Sequence, residues 1–391
     1  MPSKTWDDAT GWAITAYHNI CFSAEHVPLE SLKRYLDGGC NEDVNIHRNT
    51  VEIREVELIP QYLSEHIKSD MSVDLFGHTY DAPFGISPIG LQGLMWPKTL
   101  EILATAAFKH NVPFCLSTVS TSSIETIAEI TQGRAWFQLY HPAQDKVRDD
   151  IINRAKAAEL PVLVILADVP TFGYRPRDIR NGLAMPPSMS LRNIMQICGR
   201  PSWALSTLIN GKPEFETLKP YMPKGLNMKQ LGQFMDKTFS GRLKEEKIKP
   251  IRDMWPGKLV VKGIACEADA ERCIRLGVDE LWVSNHGGRQ LDAGQSAIKA
   301  LRAVVEKFKG QATIMKNSGI RSGPDIARTL ATGSDFTRLG RTFMYGAAAL
   351  GKKGGDHTIS ILKRQLQQVV EQICCQRVAD FPNHLSNESR P

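Results

Sequence analysis

The chain has 391 residues, 42% of them hydrophobic and 23% charged, enough length and apolar content for a large core, which excludes a disordered or fibrous class. Its net charge of +6 is mild, and its densest basic stretch, RLKEEKIKPIR from Arg242, is interrupted by acidic residues, so a solvated helix face is expected there and no nucleic-acid partner. The eight cysteines lack CxxC spacing, which argues against a disulfide scaffold or zinc site and suits a reducing, cytoplasmic setting with no metal; no window approaches the roughly 18 apolar residues of a membrane span.

In chain order, residues 1–80 form a leading segment in which PLESLKRYLDGG predicts a helix stopping at Gly38 and Gly39. Eight short apolar runs follow: FGISPI (84–89), PFCLST (113–118), AWFQLY (135–140), VLVILAD (162–168), KLVVKG (258–263), ELWVSN (280–285), ATIMKNSG (312–319) and DFTRLGR (335–341). Between most of them lie stretches such as PKTLEILATAAFKHN, CEADAERCIRLG and SGPDIARTLATG, with apolar residues three and four apart, as helices require. Apolar strands alternating with helices imply a parallel sheet covered on its outer face, and eight such units imply an α/β fold, a (β/α)₈ TIM barrel forming one domain over 1–391. The rhythm breaks once, at 169–257, an insert or lid after strand four whose stretch SLRNIMQICGRPSWALSTLING is apolar enough to be ordered or to dock on something. HTISILKRQLQQVVEQI predicts an amphipathic closing helix, and 376–391 a flexible tail.

In such a barrel the functional groups gather where the strands end. Tyr140 follows the third run, Asp168 and Arg175 the fourth, and Lys262 ends the fifth. Asn285, His286 and Arg289 follow the sixth, Asn317, Ser318, Gly319 and Arg321 the seventh, and Gly340 and Arg341 the eighth. His286 is the natural proton acceptor of this set, and Asp168 could stabilise its imidazolium. Arg175 and Arg289, from different strands, suit a small carboxylate held by two guanidinium forks. Lys262, buried at a strand end, needs an anionic partner. The turns NSGIRSG and LGRT, with Arg321 and Arg341, suit a phosphate. In VSNHGGRQLD, Gly287 and Gly288 let the chain bend tightly enough for His286 and Arg289 to face one substrate.

SNHGGRQLD, VVKGI, FQLY, GYRPRD and NSGIRSG together resemble the FMN-dependent α-hydroxy acid oxidase and dehydrogenase family. RYLDGG, GYRPRDIRNG, RNI and FMYGAAALGKKGGDH bring the likeness nearest to its bacterial lactate and mandelate dehydrogenases, and the resemblance runs from about Tyr35 to about Gln372. It implies FMN as cofactor, oxidation of an L-2-hydroxy acid to the 2-oxo acid, an external electron acceptor and a homotetramer. By the resemblance His286 would be the base, drawing a proton either from Cα or from the hydroxyl alongside hydride transfer. Arg175 and Arg289 would bind the substrate carboxylate, with Tyr35 and Tyr140 bonding its hydroxyl or carboxylate, while Asp168 would pair with His286. Lys262 would sit against flavin N1 and O2. Pro88, Ile89 and Gly90 would run along the flavin ring and Ser117 and Gln138 would bond it. Ser284 would lie near the ribityl chain, and Asn317, Gly319, Arg321, Gly340 and Arg341 would take ribityl and phosphate.

Three positions depart from that family's pattern. Leu166 stands where threonine is common, removing one flavin hydrogen bond; Asn317, after Lys316, stands where aspartate is usual, so weaker or altered flavin binding is expected; Thr342 replaces a common proline. Gly90, in place of an alanine found in many oxidases, and the apolar insert, whose residues 183–235 are expected to touch the inner face of a membrane, favour a dehydrogenase feeding a quinone. Oxygen or a redox protein as acceptor, another flavin oxidation on the same scaffold, and a degraded barrel without activity stay open. Val119 occupies a position where glycolate oxidases carry a large aromatic, so the pocket is expected to admit lactate-like or mandelate-like acids.

Overall fold

The leading helix ends where the sequence predicts. The computed structural model describes residues 30–63, 65, 68–181, 191–211, 213–226, 228–239 and 242–389; the first 29 residues of the leading segment and 183–190 of the insert lie outside the described residues. Helix α1 (Glu30–Asp37) stops before Gly38, and α2 (Val44–Arg54) follows. An antiparallel hairpin of β1 (Val73–Leu75) and β2 (His78–Tyr80) then packs Leu75 and Tyr80 against Trp136, Val162 and Phe336.

Each of the eight apolar runs becomes a strand: β3 (Phe84–Ile86), β4 (Cys115–Ser117), β5 (Trp136–Leu139), β6 (Val162–Leu166), β7 (Lys258–Ile264), β8 (Glu280–Val283), β9 (Thr313–Lys316) and β10 (Phe336–Leu339). They pair in parallel in the order β3-β10-β9-β8-β7-β6-β5-β4, and a bridge between Ile86 and Phe114 brings the two ends together into the expected (β/α)₈ barrel. The outer layer includes α3 (Thr99–Lys109), α4 (Ile124–Thr131) and α5 (Asp145–Ala157). Within the insert lie α6 (Pro176–Arg180), α7 (Leu191–Cys198), α8 (Pro201–Asn210), α9 (Met228–Thr238) and α10 (Glu245–Met254), all between β6 and β7. The later units carry α11 (Glu267–Arg275), α12 (Ala297–Phe308), α13 (Gly323–Ala331) and α14 (Arg341–Leu350), and α15 (Gly354–Ile373) closes the barrel. Helix α12 illustrates the pattern: Ser296 accepts from the Lys299 N–H as an N-cap, and Ile298, Leu301 and Val304 are buried on one face. Each such side chain contributes roughly 1.5–3 kcal/mol when fully buried.

The insert is anchored by Trp203, whose indole N–H donates to the Leu94 and Met95 carbonyls at 3.3 and 3.2 Å. Of the expected flexible tail, 376–391, the described residues 376–389 are packed instead: Arg377 bridges to Asp70, Leu385 bridges to Leu58, and Phe381 is fully buried. Two apolar side chains in an otherwise polar stretch are enough to bind this segment to the barrel's outside.

Candidate active site

Strand alternation decides which side chains reach the barrel mouth. Cys115, Trp136, Val164, Val260, Trp282 and Met315 face inward and fill the barrel together. Two residues further along each strand stand Ser117, Gln138, Leu166, Lys262, Ser284 and Asn317, and two further again Tyr140, Asp168 and His286. Nine side chains from six strands therefore line one end.

Asp168 joins three of these strands. Its Oδ1 accepts from His286 Nδ1 at 2.9 Å and its Oδ2 from Lys262 Nζ at 3.4 Å. Burial alone would raise this carboxyl, but the charge of Lys262 and then the pairing with His286 outweigh it and hold the group below the usual carboxylate range. An ionised carboxylate can only accept, so Nδ1 carries the proton of the neutral ring. Burial pushes His286 down to about 4 against the pull of Asp168, so the ring is neutral near pH 7 and Nε2 is a bare acceptor. The Tyr140 hydroxyl lies 3.4 Å from that Nε2, and burial followed by the Asp168 charge raises its pKa, keeping it protonated.

Two backbone features make this arrangement possible. Gly263, at φ +106° in an irregularity of the β7–β8 register, faces Asp168 so closely that an added Cβ would come within 2.6 Å of the aspartate Cβ. His286, Gly287 and Gly288 have φ values of +57°, +67° and +77°, a left-handed turn that puts His286 and Arg289 on one bend. For histidine that conformation costs about 1–2 kcal/mol. It is held by Ser284 Oγ, which accepts from the His286 N–H at 3.1 Å, and by the Gly287 N–H, which donates to Ser318 Oγ at 3.0 Å.

Arg175 and Arg289 meet over one carboxylate. Arg175 Nη1 and Arg289 Nη2 each lie 3.7 Å from Asp178 Oδ2, and Arg289 Nη1 also donates to the Tyr35 and Gly38 carbonyls at 2.8 and 2.9 Å. The Arg289 guanidinium stands 4.7 Å from the Tyr35 ring centre. Among the described residues Arg175 Nε and Arg289 Nη2 are buried without a hydrogen-bond partner, as donors awaiting a carboxylate would be. Sequence reasoning missed Asp178; its signal was the three-residue spacing from Arg175 inside GYRPRD.

The loops after β9 and β10 form the other half of the mouth. Gly340 precedes α14, and Arg341, the helix's first residue, donates to the Leu36, Gly287 and Gly38 carbonyls at 2.7, 2.9 and 3.0 Å, leaving two of its five N–H groups unused. Burial and then the neighbouring Arg321 lower Arg341 to about 9. Arg321 spends one N–H on the Ile320 carbonyl at 2.9 Å. Thr342 Oγ1 donates to the carbonyls of Ile320 and Arg321 at 3.5 and 3.4 Å, tying α14 to that turn. Gly319, at φ +83°, packs against the Asn49 carbonyl, and Asn317 is buried with its Oδ1 accepting from Ser318 Oγ at 3.3 Å. Pro88, Ile89 and Gly90 follow β3, and a Cβ on Gly340 would lie 3.2 Å from Ile89 Cδ1, so the loops after β3 and β10 touch. Among the described residues Gln138 Nε2 and Ser87 Oγ are buried without a hydrogen-bond partner, while Leu166 is buried and brings no donor. Unpaired ring-side donors beside a cationic turn at a helix start fit the flavin and the phosphate of FMN.

Known proteins agree with this reading. The model of the FMN-dependent dehydrogenase family matches residues 24–387. The L-lactate dehydrogenase of Vibrio parahaemolyticus serotype O3:K6 (strain RIMD 2210633) is 34% identical over 351 residues, covering 90% of this chain and 92% of that protein. The (S)-mandelate dehydrogenase of Pseudomonas putida is 34% identical over 357 residues, covering 90% and 89%. Among solved structures, the monotopic membrane protein (S)-mandelate dehydrogenase superposes with a TM-score of 0.88 and 31% identity over 96% of this chain and 98% of that one. With a matching barrel and a match along nearly its whole length, the chain belongs to the FMN-dependent dehydrogenase family.

Proposed function

We propose that this FMN-dependent dehydrogenase oxidises an L-2-hydroxy acid of the lactate or mandelate kind to the 2-oxo acid. The observation that carries the reading is a neutral His286, pinned by Asp168 beside Tyr140, at a mouth where Arg175 Nε and Arg289 Nη2 are buried with no hydrogen-bond partner among the described residues. The arginines clamp the substrate carboxylate, and Tyr140 and Tyr35 orient its hydroxyl or carboxylate. His286 Nε2 takes the substrate proton, and Asp168 stabilises the imidazolium that results. Pro88, Ile89, Gly90, Ser117, Gln138, Lys262 and Ser284 would hold the flavin and the start of its ribityl chain. Asn317, Gly319, Arg321, Gly340 and Arg341 would hold the rest of the ribityl chain and the phosphate. When bound, FMN supplies the acceptor for the electron pair that leaves the substrate.

For the next acceptor we favour a quinone at the inner face of a membrane, reached by a homotetramer that is otherwise cytoplasmic. Exposed Leu191, Ile194 and Met195 on α7 and Leu205, Leu208 and Ile209 on α8 give the insert an apolar surface suited to that contact. No helix among the described residues is long and apolar enough to cross a membrane. The likeness to a monotopic membrane protein supports a peripheral attachment. Steady-state rates with glycolate, L-lactate, L-mandelate and longer 2-hydroxy acids test the substrate: lactate or mandelate should lead, and a preference for glycolate contradicts the reading. Faster turnover with a quinone analogue than with oxygen is expected, and the reverse order identifies an oxidase.

A further inference from the structure

The turn after β9 is held from behind by a lysine that neither the barrel's packing nor the proton chemistry at the mouth requires. Lys316, the last residue of β9, is 0% exposed and, as Met315 faces into the barrel, it points outward toward the helices. Its hydrogen bond runs from Nζ to the Ser318 carbonyl at 3.0 Å, inside a turn where Ser318 and Gly319 have φ values of +73° and +83°. Asp325 on α13 and Arg321 are the charged groups that bear on it. Asp325 is engaged elsewhere, accepting from the Arg321 N–H at 3.0 Å and from Arg328 Nη1 at 3.4 Å. The strand partners facing Lys316, Val283 on β8 and Thr337 on β10, bring no charge, and α2 offers the neutral Asn49 to the same turn. A fully buried ammonium with one carbonyl for company is costly unless an anion compensates it.

We propose that Lys316 is a counter-charge for the FMN phosphate, placed behind the turn that receives it and fixing the Ser318 peptide in the same contact. The inference rests on the reading above that the phosphate lodges at Asn317–Arg321 and Arg341. Because Ser318 Oγ also accepts from the Gly287 N–H at 3.0 Å, one peptide links the phosphate turn to the bend that carries His286. Burial holds Lys316 down at about 7, with Asp325 raising it and Arg321 lowering it. A phosphate dianion favours the charged ammonium, so FMN binding draws a proton onto Lys316. The bound form then titrates above the free form. FMN affinity is therefore full below about pH 7 and falls above it, by up to about tenfold per pH unit, until the bound lysine also loses its proton.

The test is to strip the flavin from the holoenzyme and retitrate with FMN and with riboflavin, which lacks the phosphate, following flavin fluorescence between about pH 6 and about pH 9. In the wild type the FMN Kd should rise about tenfold or more across the upper part of that range while the riboflavin Kd stays level. Lys316→Met should weaken FMN about tenfold near pH 6, remove the rise in Kd that sets in near pH 7, leaving only what Arg341 adds toward about pH 9, and leave riboflavin binding unchanged. Lys316→Gln, which keeps a donor for the Ser318 carbonyl, should recover part of the FMN affinity without that rise. A wild-type FMN profile as flat as that of riboflavin overturns the proposal without any variant, and so does an FMN-to-riboflavin ratio that Lys316→Met leaves unchanged. Arg321→Met separates the two readings: if it lowers the ratio and Lys316→Met does not, the phosphate site stands and Lys316 has no part in it. If neither variant moves the ratio, the phosphate lies elsewhere and both readings fall.

Discussion

The mouth and the floor of this barrel both bury charge, and they handle it in opposite ways. At the mouth Asp168 stays ionised because Lys262 and His286 sit against it at 3.4 and 2.9 Å. Toward the floor, Glu280 on β8 and Arg338 on β10 are fully buried, yet neither Glu280 oxygen has a hydrogen-bond partner and Arg338 leaves Nε and Nη2 unbonded. Burial pushes Glu280 well above the usual carboxylate range against the pull of Arg338, and the Arg338 guanidinium rests 3.8 Å from the Trp136 ring centre. Burial therefore outweighs the charged neighbour at the floor, whereas at the mouth the partners outweigh burial. That difference suits His286 to the base role proposed above: an ionised Asp168 fixes the Nδ1 proton and leaves Nε2 free.

Breaking the mouth's pairing should have the largest effect. Asp168→Asn replaces an obligatory acceptor by an amide that can donate, which favours the wrong tautomer of His286; the rate of flavin reduction should fall by roughly 10²- to 10⁴-fold, measured by rapid mixing. A rate within a few-fold of wild type would mean that Asp168 does not set the tautomer. Arg289→Lys keeps the charge but loses the planar fork, so kcat/KM should drop roughly 10- to 100-fold, mostly through KM, as expected for about 1.5–3 kcal/mol of charge-assisted bonding. A loss confined to kcat would place Arg289 away from the carboxylate. At the floor the effect should be small and of opposite sign. The folded-state pKa of Glu280 is raised, so its contribution to stability is full below the unfolded carboxylate value near about pH 4 and is lost as pH rises toward the folded value. Glu280→Gln should therefore remove part of the wild type's loss of stability with rising pH, leaving Tm near pH 7 equal or higher and turnover unchanged. A clear drop in Tm at neutral pH would show that Glu280 is ionised and paired after all.

The same contrast explains what the sequence made legible. All eight strands, and Tyr140, Asp168, Lys262, His286 and Asn317 at their C-terminal ends, could be placed because apolar runs alternate with helices and polar residues cluster there, whereas Ser117, Gln138 and Ser284 came from the family resemblance alone. Glu280 and Arg338 escaped notice because both faces of a parallel barrel strand are buried, so ELW and FTR carry no polar alternation to mark the inner side. Asp178 was hidden for another reason: its role depends on short α6 folding back between arginines that come from separate strands. Phe381 and Leu385 stood too far apart in polar sequence to signal a packed segment, and Leu58, which bridges to Leu385, lies far away in the first part of the chain.

The central claim is that a neutral His286 takes the substrate proton while the arginines hold its carboxylate. Mixing the holoenzyme with L-lactate or L-mandelate in the absence of oxygen, and following the visible flavin absorbance, tests it most directly. The wild type should bleach, and His286→Gln should keep its yellow colour while bleaching about 10²- to 10⁴-fold more slowly. Bleaching of the variant at the wild-type rate would contradict the account.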